Sequence, residues 1–209
     1  MATGWDVGPV GRAVAACTRR FGHAGLELVV HRRQQRPSLT GRSWSAKKRG
    51  PIDEPEDHAL GRSRGGFGTK FHLVTDGKGT ALAVGVTPGQ SHESKSFESS
   101  LEAVPIAAGR WPENLSGDKG YSYPRIRQWL QDHEIGDVIA RRKDQRVPGD
   151  EEDFDHEMYR RRNVVERCVG WLKECRRICT RYEKLAVNFL AMLKIAMIQR
   201  YLGMMVRAG

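Results

Sequence analysis

Between residues 69 and 87 apolar and polar positions alternate with a period near two, interrupted once by Asp76-Gly77-Lys78-Gly79. Thr69 to Thr75 and Thr80 to Thr87 therefore predict paired strands with DGKG as the turn, a β-hairpin that Pro88 and Gly89 terminate. The period then lengthens. Ser94 to Val104 places Phe97, Leu101 and Val104 on one side of a helix, and Asn114 to Gly117 predicts a short strand that ends at Asp118. Tyr123 to His133 predicts a second helix, with Pro124 tolerated in its first turn and Ile126, Trp129 and Leu130 turned inward. Asp137 to Ala140 reads as another short strand. In the stretch from Leu185 to Val206, Asn188, Lys194, Gln199 and Arg200 interrupt the apolar residues, so a packed amphipathic helix is expected there rather than a membrane span.

The segment Tyr159 to Lys173, YRRRNVVERCVGWLK, predicts a single helix with two unlike faces. At about 100° per residue, Tyr159, Arg162, Glu166 and Lys173 fall within an arc of about 60°, while Val164, Val165, Cys168, Trp171, Leu172 and Cys175 gather opposite. A carboxylate among fixed cations suits a metal-binding acid that must meet a polyanion. An ordinary solvated helix face carries the same residue types, and spacing alone leaves both readings open.

Charge narrows the partner. The 209 residues hold 35 Lys and Arg against 25 Asp and Glu, a formal charge of +10 that favours nucleic acid without identifying it. Cys17, Cys168, Cys175 and Cys179 lack the paired short spacings of a structural zinc site and read as core thiols. The first twenty residues have no sustained apolar run, so a cytoplasmic, reducing setting is expected. The acids from Asp150 to Glu157 read as a solvated run favouring the next helix N-terminus. His72 and His92 read as structural.

Three ordered stretches carry a family resemblance: GRSRGGFGTKFHLVTDGKGTALAVGVTPGQSHES from Gly61, LSGDKGYSYPRIRQWL from Leu115, and the helix with its Y-x2-R-x3-E-x6-K spacing. Together they resemble the catalytic core of DDE transposases of the IS4/IS5 type, over roughly residues 46 to 203. The resemblance implies an α/β, RNase H-like mixed sheet flanked by helices. It implies metal-dependent phosphodiester cleavage and strand transfer by carboxylates that hold two Mg²⁺ ions. Asp118 matches the second aspartate and Glu166 the glutamate, both as metal ligands. Lys119, Tyr121, Tyr159, Arg162 and Lys173 match positions that meet DNA. Arg62 and Arg64, in GRSRGG, suit DNA backbone contact or plain solvation equally. Insertion-sequence terminal repeats and target DNA are the implied partners, a homodimer is compatible with the family, and no membrane is involved.

One part departs from that pattern. The first aspartate should stand on a strand upstream of GRSRGG, and HRRQQRPSLTGRSWS, His31 to Ser45, has the wrong composition for a buried strand. The expectation is therefore an atypical, poorly ordered segment over residues 1–45. A partial catalytic domain over 46–209 follows it, lacking the normal first strand and first acid. With permitted codons the neighbouring frame across His31 to Ser45 spells IDGSNVRASLAAAGA, which resembles that strand. The nucleotide sequence tests this frameshift: an alternative frame without the aspartate rejects it. A non-catalytic DNA-binding remnant is the alternative function.

Overall fold

The computed structural model describes residues 26–32, 58–63, 66–104, 111–145 and 154–208. Six strands form one mixed sheet: β1 (Leu26–Arg32), β2 (Gly61–Ser63), β3 (Gly66–Asp76), β4 (Ala81–Pro88), β5 (Asn114–Gly117) and β6 (Gly136–Ile139). β4 pairs antiparallel with β3, and β3 antiparallel with β1. β1 runs parallel to β5, and β5 parallel to β6. β2 pairs with the first residues of β3.

The predicted hairpin is present, its turn built as the sequence requires. Asp76 Oδ1 accepts from the backbone N–H groups of Lys78 and Thr80 at 2.9 and 2.8 Å, and Gly79 takes φ 81°. A side chain at Gly79 would be strained at that φ, and its Cβ would come within 3.1 Å of the Val164 carbonyl oxygen.

The expectation that the first strand is missing is corrected. β1 occupies the middle of the sheet, with Leu28 paired to Val74 on one side and to Gly117 on the other. Its sequence, LELVVHR, lies just before and overlaps the arginine-rich stretch that suggested no strand. The apolar, partly β-branched run Leu26, Leu28, Val29 and Val30 gives it the composition of a central strand. The remainder of residues 1–45 lies outside the described residues.

Among the described residues the α-helices are α1 (Phe97–Glu102), α2 (Pro124–Asp132), α3 (His156–Arg161), α4 (Asn163–Glu174), α5 (Arg176–Cys179) and α6 (Ala186–Ala208). They cover both faces of the sheet, and β3 shows how. Val74 points into a core with Phe97, Leu101, Tyr121, Ile126 and Leu130, while Phe71 and Leu73 join Val165, Cys168, Leu172, Phe189 and Leu193 on the other face. This strand is buried on both faces, hence its near-continuous run of buried residues from Gly68 to Thr75. α6 is long and apolar enough to cross a membrane by length and composition. Phe189, Leu193, Ala196 and Met197 are nevertheless buried in the second core, as expected of a packed helix.

The single helix expected over Tyr159 to Lys173 is broken. α3 ends at Arg161, α4 begins at Asn163, and Arg162 takes φ −48° and ψ −22° between them. A tight bond from Val165 N–H to the Arg162 carbonyl, 3.0 Å, replaces the regular ladder there.

Candidate functional site

β5 delivers Asp118 as the sequence predicts. Its carboxylate is exposed and caps the short 3₁₀ turn Lys119–Tyr121, accepting from Lys119 N–H at 2.8 Å. Lys119 is exposed beside it. Tyr121 is different: its ring is fully buried in the first core, and its hydroxyl has no hydrogen-bond partner among the described residues. Burial raises its pKa well above the usual tyrosine value, with the nearby Glu93 and Asp118 charges adding to the shift. The expectation that Tyr121 meets DNA is thus corrected, because packing against Phe97 and Ile139 turns the side chain inward.

A buried ion pair supports this loop. Lys70, on β3, donates to Glu93 Oε1 at 2.8 Å, and Glu93 lies against Gly120. His72, two residues along, is held between Thr87 Oγ1 at 2.7 Å and Ser96 Oγ at 2.9 Å. Burial lowers its pKa to about 4, with Glu93 opposing and Lys70 reinforcing the shift. His72 is therefore a neutral core histidine, as expected.

The acid on the helix is Glu166, in the first turn of α4, which packs across β1 and β3. β1 pairs with β5, so Asp118 and Glu166 are carried by elements that meet at β1. Glu166 is 58% exposed and lies 3.6 Å from Arg162. Arg162 also stands 5.1 Å over the Tyr159 ring, and its Nε is buried without a hydrogen-bond partner among the described residues. Tyr159, Arg162 and Glu166 stay together across the break between α3 and α4, because Arg162 keeps right-handed helical dihedrals there. Lys173 is half-buried in the last turn of α4, and Arg62 is exposed on β2. Arg64 lies outside the described residues.

Two hard cations need shared carboxylates. No three His, Cys, Asp or Glu side chains gather into a metal-binding group among the described residues. Asp118 and Glu166 alone do not make a complete two-metal site.

The described residues thus combine a mixed α/β sheet, an exposed acid after β5 and an acid–arginine–tyrosine cluster across the break between α3 and α4. The chain belongs to the family described as Transposase DDE domain, whose sequence profile matches residues 40–199. It is 30% identical over 192 residues to the putative transposase for insertion sequence element IS402 of Burkholderia cepacia, covering 89% of this chain and 83% of that protein. It is 32% identical over 108 residues to the transposase for insertion sequence element IS1106 of Neisseria meningitidis serogroup B, covering 51% of this chain and 36% of that one. Among solved structures, the Mos1 strand transfer complex shares 13% identity at a TM-score of 0.35, over 77% of this chain and 58% of that one. That likeness is too slight to bear on the fold. By family the chain is a transposase of an insertion sequence.

Proposed function

We propose that this chain is an IS5-type transposase that binds insertion-sequence ends and target DNA in the cytoplasm, working as a homodimer. Lys119, Tyr159, Arg162, Lys173 and Arg62 hold phosphates, and Asp118 and Glu166 are the acids for cleavage and strand transfer. The observation that carries this reading is the cluster around Arg162: its guanidinium stands over the Tyr159 ring and 3.6 Å from the exposed Glu166, which brings a cation, an aromatic ring and an acid together as phosphate handling requires. The sheet order β4-β3-β1-β5-β6, with β5 and β6 parallel to β1, supports an RNase H-like reading. Mg²⁺ is the cofactor this reading calls for: Asp118 and Glu166 are two of the residues that would hold it, and it would supply charge stabilisation at the phosphate.

A second reading, DNA binding without cleavage, is favoured by β1. Beyond Leu28, which pairs with Gly117 just before Asp118, that strand continues Val29-Val30-His31-Arg32. The end where a third acid is wanted carries a histidine and an arginine. A nicking assay on terminal-repeat DNA with Mg²⁺ separates the two. Cleavage that falls by roughly a hundredfold or more in Glu166→Gln supports the first reading. Salt-sensitive binding with no cleavage by the wild type supports the second.

A further inference from the structure

We propose that Arg142 is a receptor for a DNA phosphate beside Asp118, an assignment that rests on the DNA-binding reading above. Three residues after β6 ends, Arg142 returns over the loop that follows Asp118. Its Nε donates to the Lys119 carbonyl at 3.2 Å, and one terminal nitrogen reaches the Gly120 carbonyl at 3.5 Å. The guanidinium carbon lies 4.4 Å from the centre of the Tyr123 ring. Tyr123 is fixed in turn: its hydroxyl is 2.9 Å from His92 Nε2, and the two rings meet edge-on at 5.2 Å.

Arg142 is thus oriented by two carbonyls and a ring, none of which carries a formal negative charge. Arg125, Arg127, Arg161 and Arg162 each pair with a carboxylate, whereas Arg142 has no such partner among the described residues. A guanidinium has five N–H donors, and the two carbonyls use two of them. The rest belong to a half-exposed, pre-oriented fork with no carboxylate paired to it among the described residues. Such a fork matches paired phosphate oxygens, and its fixed orientation lowers the entropy lost on binding. The ligand is a phosphodiester of the DNA strand that passes Asp118.

The test measures binding of a short fluorescent duplex to the full chain in EDTA, by anisotropy, across a series of salt concentrations. Arg142→Gln should weaken binding about three- to tenfold and reduce the salt slope by about one, the signature of one lost phosphate contact. Arg142→Lys, which keeps the charge, should keep that slope. Thermal melts confirm that both variants are folded. If Gln and Lys lower the affinity equally, or neither changes it while Arg162→Ala does, Arg142 only braces the loop and the proposal is overturned. If the wild type binds no DNA, it is the DNA-binding reading that fails, and Arg142 loses its role with it.

Discussion

At the scale of single residues, the polar groups under the Asp118 loop are as decisive as the acids. His72 is buried neutral, with its pKa lowered to about 4 from an ordinary 6.5. A depressed histidine pKa means that the unfolded chain takes up the proton first. The stability His72 contributes is therefore complete above about pH 6.5 and is lost as pH falls towards 4. Urea unfolding across that window should show a loss of a few kcal/mol, and His72→Gln should flatten it. Lys70→Met should cost about 3 kcal/mol in the same assay, because it leaves the mostly buried Glu93 without that cation. Tyr121 carries the contrasting lesson: a tyrosine in GDKGY reads as a surface contact until its neighbours are placed around it.

At the scale of elements, the break at Arg162 separates two helices with separate signals. Asp155 caps α3, its side chain accepting from Met158 N–H at 2.8 Å, so Asp155→Ala should cost about 1 kcal/mol of stability. Through α3 it should also weaken DNA binding without altering the α4 core. The apolar face of α4 was legible in the sequence: Val165, Cys168 and Leu172 are buried as their spacing requires. The hairpin, β5 and α2 were legible for the same reason, since a short-range period and local turn chemistry fix them. The break was not, because helix periodicity continues through Arg162 and nothing in RRRNVV forbids a helix.

At the scale of the whole molecule, the sheet depends on β1, which joins the β3–β4 hairpin to the parallel β5–β6 pair. Leu28→Pro removes a backbone donor at a position paired with Val74 on one side and Gly117 on the other, and should abolish cooperative thermal unfolding rather than merely lower the midpoint. The sequence by itself determined the hairpin, the strand that delivers Asp118, the amphipathic helix with Glu166 and, through ordered motifs, the transposase family. Those features are local, and each is written in spacing or in turn residues. Only the tertiary structure decided that LELVVHR is the central strand, that Tyr121 faces inward while Tyr123 anchors Arg142, and that His31 and Arg32 stand on the strand neighbouring Asp118. Strand order, burial and the pairing of distant charges arise from contacts between segments far apart in the chain, which no local period encodes.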